Sequence, residues 1–178
     1  HSLYLVPSLQ RLLASSDVKP SEIGAFAVGI GPGSYTGIRI GVTVAKTFAW
    51  THGLALIAVS SLEAMALGGL HADLAGEMAA DSGEESAQWE GGELNVHELL
   101  LKHAADTQSA AWVIPLIEAR RGQAFAGVYE SSVSGWQCVV PDSIRLMKAW
   151  VEELARLAAD RRPGRIVFTG EIELHREA

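Results

Sequence analysis

The chain has 178 residues, 48% of them hydrophobic and 20% charged, with a net charge of −7. That is ordinary globular composition, long enough for one large domain or two small ones. The acidic balance excludes a chain that grips a nucleic-acid backbone by itself, which needs a basic stripe, and no apolar run approaches the ~20 residues that span a bilayer.

The sequence starts at His1 and goes directly into an apolar helical pattern. Leu3, Val6, Leu9 and Leu13 follow one stripe, and Leu5 and Leu12 add a second, so a two-sided helix is expected over Ser2 to Ser16. Pro7 should either start that helix or bend it. Asp17 to Glu22, with Pro20 and Ser21, is a turn. Ala25 to Ile30 reads as a buried strand, followed by a tight loop, Gly31-Pro32-Gly33-Ser34-Tyr35-Thr36-Gly37. Its glycines require backbone that bends sharply or admits a close neighbour.

A helix over Thr36 to Trp50 comes next, capped by Ser34 or Thr36. In it, Gly37, Gly41, Ala45 and Ala49 form a stripe of small residues at i+4 spacing, while Ile40, Val44 and Phe48 form an apolar one. A helix apolar on most of its circumference is buried on more than one side, against its own domain or against a partner helix.

Leu54 to Val59 reads as a second buried strand. Ser60-Ser61-Leu62-Glu63 then reads as a capping box opening another helix. Strand, helix, strand, helix at this spacing marks an α/β layered domain with parallel strands.

From His71 to His103 the composition changes: eight acidic residues stand against a single Lys102. Such one-sided charge predicts a solvated, mobile insertion. His71, His97 and His103 do not make a metal site by spacing, because i+6 sets His97 and His103 on opposed faces of a helix.

Trp112 to Glu118 and Gln123 to Glu130 form a predicted β-hairpin, with Ala119-Arg120-Arg121-Gly122 as its turn. Arg120 and Arg121 at the tip are candidate contacts for an anion or for a partner's acid. Trp136 to Val140 adds a strand. Ser143 is expected to cap a helix with Ile144, Met147, Val151, Leu154 and Ala158 on its inner face; Pro163-Gly164 ends it, and Arg165 to Thr169 is a last strand. Cys138 is the only cysteine. An internal disulfide is thereby excluded, and with no charged-then-apolar leader in view a reducing cytoplasm is the expected setting.

The glycine loop fails the established phosphate cradles. A P-loop needs Lys and Ser or Thr after its final glycine, where Ile38 and Arg39 stand. Counting from Gly31, the third glycine of a dinucleotide fingerprint falls on Thr36. A nucleophile elbow would need glycine where Pro32 and Thr36 stand, so Ser34 is not a hydrolase serine by that rule. What remains is a glycine-rich strand-to-helix turn whose free N–H groups are suited to an anion.

As a whole, G-P-G-S-Y-T-G-I-R-I-G followed by A-K resembles the TsaB (YeaZ) family of the actin-like, sugar-kinase-like ATPase superfamily. The helix opening with His1-Ser2, the run Val59-Ser60-Ser61-Leu62-Glu63-Ala64 and the hairpin Ile117-Glu118-Ala119-Arg120-Arg121-Gly122 agree in order and spacing. Family members usually carry Asp where Glu118 stands. The resemblance implies an α/β, actin-like (ribonuclease H-like) fold. It implies a subdomain over residues 1–70, an acidic insertion or linker over 71–110, and a second subdomain over 111–178. The family's first β-meander, with its Asp-Thr-Ser turn, is missing from this sequence, which also stops short of the family's last strand and helix and is expected to be an incomplete view of a longer protein.

The related TsaD, which transfers the threonylcarbamoyl group to the adenosine beside the tRNA anticodon, carries two metal-binding histidines where Ser61 and Met65 stand. Neither replaces an imidazole ligand. The implied role is therefore a non-catalytic scaffold subunit with no metal or cofactor of its own, ATP or ADP entering only in the assembled complex. It binds TsaD as a heterodimer together with TsaE, pairs with itself when alone, and meets tRNA only through the complex. Its interface is expected to use Leu5, Leu9 and Leu12 of the first helix and Gly37, Gly41, Ala45 and Ala49 of the second. The alternatives are an M22-type metallopeptidase, opposed by Ser61 and Met65, and a stand-alone ATPase or sugar kinase of the same fold.

Overall fold

The computed structural model of the chain describes residues 2–82 and 110–175. Its contacts divide into two compact units, His1–Ser61 and Leu62–Ala178.

In the first unit, α1 (Ser2–Ser15) is followed by a 3-10 turn at Pro20–Glu22, β1 (Ala25–Gly29), α2 (Tyr35–His52) and β2 (Ala55–Val59). The two strands run parallel, in register from Ala25↔Ala55 to Gly29↔Val59. Pro7 lies inside α1 rather than at its start, so that helix forgoes one rung of its hydrogen-bond ladder. Ser34, not Thr36, is the N-cap of α2: its Oγ accepts from the Gly37 N–H at 3.3 Å. At the other end Gly53 takes a left-handed backbone (φ 67°), and its N–H donates to the carbonyls of Ala49 and Trp50.

The expectation of two buried strands needs correction. In β1 half-buried and exposed residues alternate, and in β2 Leu56 is 40% exposed and Ile57 50%. The cause is layering. Phe26 and Val28 of β1 turn toward α2, where the rings of Phe26 and Phe48 lie 5.2 Å apart, and no second layer covers the opposite face among the described residues. An apolar run shows that a strand can be buried on both faces; it does not supply the cover.

The second unit holds α3 (Ser61–Ser82, its first residue shared with the first unit), β3 (Ala111–Arg120), β4 (Gln123–Ser132), β5 (Gly135–Leu146), α4 (Met147–Arg161) and β6 (Arg165–Gly170), closed by a 3-10 turn at Ile172–His175. The strand order is β5-β4-β3-β6, with β3, β4 and β5 antiparallel and β6 parallel to β3.

Alternation along the strands builds three layers. Trp112, Ile114 and Leu116 of β3 and Ala124, Ala126 and Val128 of β4 pack on Met147, Trp150 and Leu154 of α4. On the opposite face Val113 and Tyr129 pack on Leu62, Ala66 and Leu70 of α3. Burying the large apolar side chains on both faces contributes about 1.5–3 kcal/mol each.

Two polar bonds fix this arrangement. Trp112 Nε1 donates to Glu130 at 2.9 Å, and the Tyr129 hydroxyl donates to Asp142 at 2.6 Å.

Two further expectations change in this unit. Ser143 does not cap a helix: residues 143–146 continue β5, paired with Gln123–Ala126 of β4, and α4 starts at Met147 with Leu146 as its N-cap. Pairing to a buried neighbour strand overrides the helical pattern there. Ile144 is consequently 50% exposed and Val151 40%, while Trp150, 1% exposed, supplies the core contact. The stretch whose composition predicts a mobile insertion begins inside α3, which runs on to Ser82. Asp73 in it pairs with Arg165 of β6 at 2.7 Å. His97, His103 and most of the predicted insertion lie outside the described residues.

Candidate functional site

The glycine loop joins β1 to α2 and is tied down by backbone bonds. Ile30 N–H donates to Val59 O at 2.9 Å, and Ser61 N–H donates to Gly31 O at 2.9 Å. Gly31 has φ 101°, and a Cβ there would stand 2.8 Å from Ile38 Cδ1, so only glycine fits. Gly31 is buried, Pro32 half-buried, and Gly33 to Gly37 exposed. With Ser34 Oγ engaged in capping, the loop presents a fixed helix entrance rather than an activated hydroxyl.

The Gly37-Gly41-Ala45-Ala49 stripe lies largely against the chain itself. Ala45 is 1% exposed and Ala49 4%, and a Cβ on Gly41 would meet Val28 of β1 at 4.0 Å. Gly37 alone of the four is exposed.

The open side of α2 is its opposite side. Tyr35, Arg39, Thr43, Lys46 and Trp50 recur there at three- and four-residue steps, all exposed, Tyr35 by 74% and Trp50 by 90%. The Arg39 guanidinium lies 5.2 Å from the Tyr35 ring centroid and donates to the Tyr35 hydroxyl at 3.2 Å. Counting only small and apolar residues misses this stripe; the same i+4 count applied to aromatic and basic residues finds it. Beside it a largely apolar groove of about 470 Å³ runs between α1 and α2, lined in part by Leu9, Leu13, Val44, Phe48 and His52. Leu5 and Leu12 are exposed on α1, at 38% and 60%, while Leu9 is half-buried.

In the second unit, Arg120 and Arg121 form the exposed hairpin tip, both left-handed (φ 66° and 58°), ahead of Gly122. The turn is braced rather than free: the Arg120 N–H donates to Glu118, and Met147 N–H donates to Gly122 O at 3.0 Å. Ser61 and Met65 lie on the first turns of α3, Ser61 Oγ beside Gly29 in the first unit and Met65 Sδ beside Gly170 in the second. Among the described residues no three His, Cys, Asp or Glu side chains are grouped to hold a metal ion. Cys138 lies at the surface, its sulfur only partly shielded from water; that partial desolvation first, then the negative charges of Asp142 and Glu63, pushes its thiol pKa up.

The fold defined by these layers is the α/β, actin-like (ribonuclease H-like) one. A protein described as "YeaZ from Pseudomonas aeruginosa" superposes with a TM-score of 0.51 at 21% identity, over 81% of this chain and 51% of that one. In sequence, the family described as TsaD, tRNA N6-adenosine threonylcarbamoyltransferase, matches residues 1–82. The tRNA threonylcarbamoyladenosine biosynthesis protein TsaB of Bacillus subtilis is 32% identical over 86% of this chain, and its Escherichia coli counterpart 31% over 77%. The chain spans 51% and 58% of the lengths of those two proteins. Its sequence relatives and structural neighbours are those of the TsaB (YeaZ) family, and the resemblance read from the residues stands. Among the described residues, no helix is long and apolar enough to cross a membrane.

Proposed function

We propose that this chain serves tRNA threonylcarbamoyladenosine biosynthesis as a non-catalytic subunit in the cytoplasm. In this reading it binds and organises the threonylcarbamoyltransferase TsaD, with TsaE joining the assembly. The observation that carries the reading is the 32% identity with the B. subtilis TsaB over 86% of this chain. Two features of the residues support it. Ser61 and Met65 are poor substitutes for paired imidazole ligands, which weighs against the metallopeptidase alternative. The first unit also leaves Leu5 and Leu12 of α1 and Tyr35 and Trp50 of α2 exposed, side chains of the kinds that anchor protein partners.

The interface of this reading is the groove and outer face of α1 and α2, with Gly37 at its loop end. Gly41, Ala45 and Ala49 support it from beneath, by letting α2 lie close on β1. Co-expression with the TsaD of the same cell should give a stable complex on purification, and deleting the gene should deplete threonylcarbamoyladenosine from total tRNA. Normal levels of the modified nucleoside in the deletion strain would refute the reading.

A further inference from the structure

We propose that Ser143, Arg145 and Trp150 hold a buried water molecule that ties the end of β5 to the first turns of α4. The site lies wholly within the second unit and stands or falls independently of any partner.

Three observations carry it. First, the three residues share one side of the sheet. Ser143 and Arg145 stand two apart on β5 and pair with Ala126 and Ala124 of β4, so all four point to the same face. There the two alanines pack on Met147, Trp150 and Leu154 of α4. Second, each of the three carries a polar atom shut off from solvent, with no hydrogen-bond partner among the described residues: Ser143 Oγ, Arg145 Nε and Trp150 Nε1. Trp150 as a whole is 1% exposed. Third, Arg145 is laid against the helix. Its guanidinium carbon stands 4.5 Å from the Trp150 ring centroid, and its Nη1 reaches Glu153 at 3.5 Å. Nη1 is thereby engaged, while Nε stays buried without an acceptor.

The donor set selects the occupant. An indole N–H and a guanidinium Nε–H can only donate, whereas a hydroxyl can accept as well. Burying such donors unpaired costs more than a typical hydrogen bond returns, so polar atoms without a protein partner are met by ordered water. A water accepts from Trp150 Nε1 and Arg145 Nε and donates to Ser143 Oγ, about the number of bonds a buried water makes. An anion fits less well. The Glu153 carboxylate already faces Arg145, and a second buried negative charge would go unbalanced. The Met147 N–H donates to Gly122 O at 3.0 Å, and the water gives the start of α4 a second polar tie to the sheet.

The test is a crystal structure of the intact protein, sharp enough to show ordered water, together with melting curves of variants. Density for a water about 2.7–3.2 Å from Ser143 Oγ, Arg145 Nε and Trp150 Nε1 is the expected result. In Ser143→Ala the water loses the group it donates to, and the melting temperature should fall by about 2–4 °C. With no water there, the same change deletes an unsatisfied oxygen, and the melting temperature should hold or rise. Trp150→Phe opens a void of its own, so it is read by coupling. In that background Ser143→Ala should cost at most about half as much, because the bridge is already broken.

If Trp150→Phe fails to fold, the density and Ser143→Ala decide. Absent density, or an unchanged or raised melting temperature in Ser143→Ala, would overturn the proposal. So would fully additive losses in the two variants, or a Glu153 carboxylate turned onto Arg145 Nε in place of the water. Crystals grown in bromide test the remaining occupant: an anomalous peak between the three atoms would overturn the water in favour of an anion.

Discussion

The strands of the two-stranded sheet are apolar almost throughout and those of the four-stranded sheet are more mixed, yet it is the second sheet that is covered on both faces. In β3 every residue from Ala111 to Leu116 is buried, because α4 lies on one face and α3 on the other. In β1 and β2 no residue is fully buried, and α2 covers one face only. A strand's composition therefore reports how much burial it can use. The layers around it decide how much it gets, and with it how much each side chain contributes to stability.

Substitutions on either side of that contrast test it. The largest effect is expected at Ala45, 1% exposed where α2 lies on its strands. Ala45→Arg places an unpaired charge in a packed contact, which costs several kcal/mol. Amide protection should be lost across residues 25–59 and kept far better across 111–170. A normally folded Ala45→Arg variant would show that this face of α2 is free after all.

Next in size is Trp150→Ala in the covered sheet, expected to cost about 3–5 kcal/mol. Ile57→Ala on the uncovered strand should cost less than about 1 kcal/mol, because half of that side chain already meets water. Equal losses in denaturant titrations would mean the uncovered strand gains cover that these residues do not show.

Smaller still, Ser34→Ala removes the oxygen that accepts the Gly37 N–H and should lower stability by about 1 kcal/mol. Its effect should fall on α2 and leave the second unit's protection unchanged. The least change in stability attaches to Cys138, which reports on the second unit through its chemistry. Partial desolvation and the nearby Asp142 and Glu63 disfavour the thiolate, so alkylation at neutral pH should be slower than for a free thiol. It should accelerate only as the pH rises past the range where free thiols ionise. Replacing Asp142 with Asn should shift that onset to lower pH.

Much of this molecule was legible in the residues alone. The glycine loop, a helix cap at Ser34 or Thr36, the parallel strand–helix–strand unit and the Ala119–Gly122 hairpin turn follow from local chemistry, because turns, caps and periodicities are set by neighbours in the chain; the family was legible as a resemblance of motifs. Three features were decided only in three dimensions. Residues 143–146 became strand because β4 offered a hydrogen-bonding edge, which no helical pattern within the segment can register. The small-residue stripe of α2 turned inward because β1 lies within reach of Gly41. The outward face was thereby left to Tyr35, Arg39, Lys46 and Trp50. A two-sided helix offers two candidate interfaces in sequence, and only the position of its own sheet says which one is already occupied.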